Sequence, residues 1–414
     1  MANYSVLASH SQGKSEVDKI FGVNQAANEK AKIVGKENII NATIGAFLDA
    51  KGKLITLPTV EEVMRSLPFD ELANYAPISG LPEFIEAAID FTFQEYRPKA
   101  YIKGIATPGG TGAIHHAIWN YTEEGDTYLT HDWYWSPYKT MARETLRKLD
   151  TFKTFDENNN FNVQDCLRKV TELAQVQRNV LLIINSPAHN PTGYSLEYEE
   201  WESVVNGLKE LAQSKKNNLI LFVDVAYLDF APPGSRKFFQ LFNDLPENIF
   251  VIVGFSMSKG YTMYGYRSGC MIGVSSSESV INEFQAANQF SNRGTWSNGT
   301  RSAMRVLAEI HKSPALTEKV NKEREEYRLA LEERAKIFTA EAKEIGLEVS
   351  PYKAGYFIIV PTTKPDEVAL KLQEDNIFLV AMASGVRVAI CAIATEKIPG
   401  MATKIKKAID ALEG

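Results

Sequence analysis

Cysteine is scarce in this 414-residue sequence. Cys166, Cys270 and Cys391 lie far apart, are odd in number and form no CxxC pair. That excludes a disulfide framework or a zinc ribbon and suits a reducing compartment. No apolar run approaches the ~18 residues of a membrane span. The opening residues show no basic start followed by an apolar stretch, so no secretion signal is expected and the cytoplasm is the expected location. Positive charge is not in excess: 45 Lys and Arg stand against 51 Asp and Glu, a net charge of −6. A nucleic-acid binder would show a basic stripe, whereas a local arginine cluster can still hold a small anion in an acidic protein. The six histidines form no HExxH or similar metal pattern, no GxSxG nucleophile elbow occurs, and no internal repeat stands out. No metal, no nucleic acid and no membrane are therefore expected as partners.

What is present is the composition of a globular protein, 44% hydrophobic and 23% charged, over a length that suggests two or three domains. Val180–Asn185, Asn218–Val225, Ile249–Phe255 and Gly269–Val274 are short, nearly continuous apolar runs, the pattern of strands buried on both faces. Helical stretches lie between them, at Ala113–Tyr121 and Glu199–Ser214. Such alternation predicts an α/β fold. Leu316–Ile345 is a long charged helical stretch without Pro or Gly. A smaller α+β region follows, with strands at Tyr356–Val360, Ile377–Ala381 and Arg387–Ala392 and helices at Asp366–Asp375 and Lys404–Leu412. We expect a large three-layer α/β domain over residues 54–325, with a mainly parallel sheet. Residues 1–53 and 326–414 are expected to form a smaller α+β domain.

The sharpest local signal is Ser256-Met-Ser-Lys259, with Arg267 beyond it, just after the run Ile249–Phe255. A lysine at a strand end can reach a ligand outside the carboxyl edge of the sheet, and a lysine amine attacks carbonyls when burial lowers its pKa. Taken alone it reads as an ordinary loop lysine. Asp224 ends another strand, where a buried carboxylate needs a partner; a protonated pyridine nitrogen is one. Tyr227 and Asn190, the latter in Asn190-Pro-Thr-Gly193, are candidates to reach a ring oxygen, against the plain readings of a packed aromatic and a turn. Gly109-Gly110-Thr111-Gly112 opens a helix and offers backbone amides to a phosphate, with Ser256 and Arg267 to complete the site. His189 adjoins Asn190 and is either a residue that orients Asp224 from behind or a packed loop histidine.

Together these segments resemble the fold-type-I, class I aminotransferases of the aspartate aminotransferase kind. The resemblance covers nearly the whole chain, with its parts in the family's order. It implies pyridoxal 5'-phosphate as cofactor, Lys259 as the Schiff-base lysine, and Gly110, Thr111, Asn190, Asp224, Tyr227, Ser256 and Arg267 as cofactor contacts. Asn41–Pro58 resembles the segment that closes over substrate, pointing to Gly45. In His131–Lys139 (HDWYWSPYK) the tryptophan stacked on the ring aligns with Trp135, with Trp133 and Tyr134 as competitors. Asn74–Phe84 (NYAPISGLPEF) aligns Tyr75 with a tyrosine that reaches the neighbouring subunit's phosphate, so a homodimer with shared sites is implied.

The same resemblance implies that Arg387 binds the substrate α-carboxylate, although Val386 intervenes where the family has Arg directly after Ser-Gly. It implies that Arg293, in Asn292–Asn298 (NRGTWSN), crosses the dimer interface to a distal carboxylate. The phosphate turn also departs, with Gly109 where a serine is usual. The implied activity is amino transfer between an L-amino acid, with aspartate or another dicarboxylic acid favoured, and a 2-oxo acid such as 2-oxoglutarate. Aromatic amino acids are the alternative donors, and a lyase or decarboxylase on the same fold is a more distant alternative.

Overall fold

The computed structural model describes residues 5–14 and 18–413. A seven-stranded sheet lies at its centre, in the order Tyr101–Thr107, Gly269–Ser275, Ile249–Ser256, Asn218–Asp224, Asn179–Asn185, Thr127–His131, Lys148–Phe152. Gly269–Ser275 runs antiparallel to both neighbours; the other adjacent pairs are parallel.

Side chains alternate between the two faces of a strand, and each face has its own core. Leu181, Ile183, Ile220, Phe222 and Ile252 pack with Ala113, Ile114 and Ala117 of the helix Gly109–Tyr121. Leu182, Ile184, Leu221, Val223, Val251 and Val253 pack on the opposite side with Trp201, Val204 and Leu208 of the helix Tyr198–Ala212. Both faces are covered, so the central strands need no polar side, which is why they read as continuous apolar runs. Tyr101–Thr107, Thr127–His131 and Lys148–Phe152 escape that pattern because they lie toward the sheet margins and carry Lys103, Thr130, Lys148 and Asp150.

The helix Pro314–Glu344 runs for 31 residues, about 46 Å at the usual rise. Ser313 caps it, accepting the Leu316 N–H at 3.3 Å. Its Val320 joins the core of the large sheet, while Ala335, Phe338 and Ala342 join a separate core with Ile358, Val360, Val386 and Val388. That second core is built on a three-stranded antiparallel sheet, Val380–Ala381, Gly385–Ala389 and Phe357–Pro361, beneath the helices Pro365–Leu372 and Met401–Glu413. The single strand expected at Ile377–Ala381 is divided. Ile377–Phe378 pairs in parallel with Ile40–Asn41, and Val380–Ala381 turns to the other sheet. The division ties the N-terminal segment to the second core. Among the described residues no helix is long and apolar enough to cross a membrane, and no cluster of His, Cys, Asp and Glu has the makings of a metal site.

Candidate active site

Five neighbouring strands of the large sheet are parallel, so their carboxyl ends share one edge, and a cavity of about 490 Å³ opens there. Ser256 ends its strand and caps the short helix Met257–Gly260, accepting the Ser258 N–H at 3.2 Å. This turn presents Lys259 to the cavity. The Lys259 amine donates to the Gly45 carbonyl oxygen. It lies 4.7 Å from the ring centre of Tyr264, 5.5 Å from Tyr356 and 5.6 Å from Tyr227. Desolvation among these rings lowers its pKa to about 8; Cys391 opposes the shift, and Arg387 and Arg267 add to it. An amine so lowered is partly neutral near pH 7 and able to attack a carbonyl.

Asp224 lines the same cavity and is almost wholly buried. Its Oδ2 accepts from the Tyr138 hydroxyl at 2.8 Å and its Oδ1 from the Ala226 N–H at 3.1 Å. Burial raises the carboxyl pKa, against the pull of these two bonds. The Asn190 amide donates to the Tyr227 hydroxyl at 3.3 Å, and Asn190 is itself fixed by its N–H on Asn185 Oδ1 at 2.7 Å.

Arg267 adopts a left-handed backbone, φ 50°. Its guanidinium spans the mouth of the helix Gly109–Tyr121, donating to Thr111 Oγ1 and Ser258 Oγ at 3.3 Å each and to the Tyr264 carbonyl at 2.9 Å. Gly109 has φ 68°, and a Cβ there would stand 3.0 Å from Arg267 Nη2. The missing serine of the phosphate turn has this reason: a side chain would meet strained backbone and the arginine at once.

Arg387 is buried beside the cavity. Its Nη2 donates to the Thr43 carbonyl at 2.7 Å and Nη1 to Asn190 Oδ1 at 3.2 Å. Its carbon Cζ lies 4.3 Å from the centre of the Phe357 ring, and among the described residues its Nε has no hydrogen-bond partner. The extra Val386 is absorbed by strand alternation: Val386 and Val388 point into the second core, and Arg387 between them points to the cavity.

The cavity thus brings together Gly45, Gly110, Thr111, Trp135, Asn190, Asp224, Tyr227, Ser256, Lys259, Arg267 and Arg387. Trp135 lines it, and neither Trp133 nor Tyr134 does. Tyr75 and Arg293 do not line their own chain's cavity. Tyr75 is 82% exposed, and Arg293, in the last turn of the helix Glu278–Thr295, donates to Ser297 Oγ at 2.7 Å. The orienting role for His189 is corrected. Its Nδ1 pairs with Thr192 Oγ1 at 2.8 Å and its ring stacks on His131 at 4.3 Å; among the described residues it makes no bond to Asp224, whose oxygens go to Tyr138 and Ala226. Sequence reasoning also passed over Ser258, Tyr264, Phe357 and Asn185, all in the wall. Ser258 was legible as a hydroxyl beside the lysine, and Asn185 as the polar end of the run Val180–Asn185; nothing local marked Tyr264 or Phe357 as part of the site.

Residues 37–405 match the family model described as aminotransferase class I and II, and the chain belongs to that family. The cytoplasmic aspartate aminotransferase of Schizosaccharomyces pombe is 26% identical over 322 residues, which span 73% of this chain and 74% of that one. An aminotransferase from Anaerococcus prevotii is 40% identical, with a TM-score of 0.96 over 98% of this chain and all 100% of its own. An aromatic-amino-acid aminotransferase from Burkholderia pseudomallei, covalently bound to pyridoxal phosphate, shares the fold with 20% identity and a TM-score of 0.78, over 97% of this chain and 100% of its own. The protein is a fold-type-I transaminase, and its cofactor is pyridoxal phosphate.

The cavity suits that group. Asp224 is a buried carboxylate with two hydrogen-bond donors and no described cation on it, as a protonated ring nitrogen requires. Gly110, Thr111, Ser256 and Arg267 line the cavity together at the start of the helix Gly109–Tyr121, a donor set that suits a phosphate.

Proposed function

We propose that this transaminase moves an amino group between an L-amino acid, with aspartate or another dicarboxylic acid favoured, and a 2-oxo acid such as 2-oxoglutarate. The observation that carries the reading is Arg387, a buried guanidinium beside Lys259's cavity whose hydrogen-bond partners among the described residues are a carbonyl and an amide, with the Asp18 carboxylate acting on it only as a nearby charge. A buried cation so placed is completed by an anion from outside. In this reading Arg387 holds the substrate α-carboxylate.

When bound, pyridoxal phosphate supplies an aldehyde for amines and a ring that stores an electron pair. Lys259 anchors it and, once freed, moves the proton at the substrate Cα. Asp224 keeps the ring nitrogen protonated, Asn190 and Tyr227 hold the ring oxygen, and Trp135 stacks on the ring. Gly110, Thr111, Ser256 and Arg267 hold the phosphate. Gly45 closes over the substrate. Residues 54–325 serve as the cofactor-binding domain, with 1–53 and 326–414 as the smaller one. Tyr75 and Arg293, exposed and outside their own cavity, act across a homodimer interface, Arg293 on the distal carboxylate.

One observation favours a second reading. Ile20, Phe21, Ile44, Leu54, Ile114 and Phe357 give the cavity an apolar side, which suits an aromatic donor. A panel of amino acids with 2-oxoglutarate, run on wild type and Arg293→Ala, separates the two. Dicarboxylate preference predicts a selective loss for aspartate in the variant. Equal loss for every donor, or none, removes Arg293 from substrate choice.

A further inference from the structure

Tyr138 has no role in the reading above, yet it makes the shortest contact to Asp224. It occupies the first turn of the helix Pro137–Glu144 and is buried at 1% exposure. Its placement is fixed on two sides. The Tyr128 hydroxyl donates to its backbone carbonyl, and the edge of its ring meets Trp135 at 5.8 Å and 85°. From there its hydroxyl reaches Asp224 Oδ2 at 2.8 Å, while the Ala226 N–H holds Oδ1. The carboxylate plane is therefore pinned from both oxygens. Among the described residues the titratable groups that bear on Tyr138 are Asp224, Tyr128 and Tyr227, with no cation among them.

We propose that Tyr138 is a positioning residue for the cofactor: its hydroxyl fixes the Asp224 carboxylate toward the ring nitrogen and, being a neutral donor, leaves the whole negative charge there. The inference rests on the reading of Asp224 as the ring-nitrogen partner. A cationic donor in the same place would orient the carboxylate equally well but would share its charge and weaken the hold on the pyridinium proton. Burial keeps the phenol protonated, since its pKa stands well above the ordinary tyrosine value, so the donor persists across the working pH range.

The physical consequence runs in one direction. A hydrogen bond to the charged form lowers a carboxylate's proton affinity. Loss of the phenol makes Asp224 more basic and leaves its plane less fixed. A carboxylate that can turn from the ring, and whose own proton affinity has risen, draws the shared proton toward itself, so the ring nitrogen is left less protonated and the Lys259 linkage to the cofactor becomes more basic in compensation.

The test is a double-mutant cycle on the full-length holoenzyme with Tyr138→Phe, Asp224→Asn and the pair. The readouts are the dissociation constant of pyridoxal phosphate and the pH midpoint of its visible band. Tyr138→Phe is expected to raise the dissociation constant about tenfold, the lower range for a hydrogen bond to a charged group, and to move the midpoint upward. With Asn at 224 the same change should do neither. A shift of equal size in the Asp224→Asn background shows a packing effect and overturns the proposal, as does an unchanged midpoint in Tyr138→Phe alone. If Asp224→Asn itself leaves both readouts at wild-type values, the assignment of Asp224 fails, an outcome distinct from failure of Tyr138.

Discussion

Replacing Arg387 with methionine separates a binding cation from a structural one. The guanidinium is buried, its Nε has no hydrogen-bond partner among the described residues, and its two bonds go to the Thr43 carbonyl and Asn190 Oδ1. Desolvation lowers its pKa, with Tyr227, Cys391 and Asp18 opposing the shift, so the protein replaces only part of its hydration. In the ligand-free protein, then, the cation itself contributes little to stability. Methionine keeps the apolar stem against Phe357 and removes the partly compensated charge. The Thr43 carbonyl and the Asn190 amide each lose a partner, at about 1 kcal/mol apiece, and the relief of the buried charge offsets this. The melting temperature should move by no more than a few degrees. Catalysis is another matter. Two hydrogen bonds from a guanidinium to a carboxylate carry about 1.5–3 kcal/mol each, so kcat/KM should fall by roughly 10²–10⁴. Every amino donor shares the α-carboxylate, so the fall should be similar for aspartate and for phenylalanine. Steady-state kinetics with both donors, alongside thermal unfolding, measures both quantities. A large drop in melting temperature with kcat/KM within threefold of wild type would refute the reasoning and make Arg387 a structural residue.

Lys259 gives a pH prediction. The neutral amine attacks the cofactor's aldehyde, and its pKa is lowered to about 8; below that pH most of it is protonated and unreactive. The rate at which cofactor-free protein takes up pyridoxal phosphate should rise about tenfold from pH 7 to pH 9 and level off above, followed by stopped-flow absorbance. A rise continuing to pH 10 would place the amine in its ordinary range. Gly45→Val should raise KM and lower kcat/KM by roughly tenfold or more, because a Cβ at Gly45 would stand 2.6 Å from Phe357 Cζ and 3.5 Å from the Lys259 amine. Unchanged kinetics would show that the segment retreats without cost.

How much of the site was legible depended on how each residue is placed. Lys259, Asp224 and Asn190 follow buried apolar strands, so the strand pattern located them at one sheet edge before any coordinates. Arg387 was found by resemblance, but the burden of Val386 was not readable: only the alternation of the strand Gly385–Ala389 shows that Val386 turns into the core. His189 illustrates the opposite error. Adjacency to Asn190 suggested support for Asp224, whereas the turn directs its ring to His131 and Thr192. Tyr138 lay inside the HDWYWSPYK segment without any signal that distinguished it from its aromatic neighbours. The marginal strands were missed for a related reason: polar residues break their apolar runs, at exposed or partly exposed positions such as Lys103, Lys148 and Asp150 and at the buried Thr130 and His131.

The sequence by itself determined the α/β layering and the strand ends that carry the chemistry, because strands buried on both faces demand apolar runs, and its resemblance to a known family, with Asp224, Lys259 and Arg267 in that family's order, implied amino transfer. Tertiary structure alone decided what touches what. The pairing of Tyr138 with Asp224 joins residues 86 positions apart, and that of Arg387 with Thr43 joins residues 344 apart. Such contacts follow from how a helix and a second core dock on the sheet edge. Side-chain periodicity reports which face a residue occupies and carries no information about the partner that face will meet.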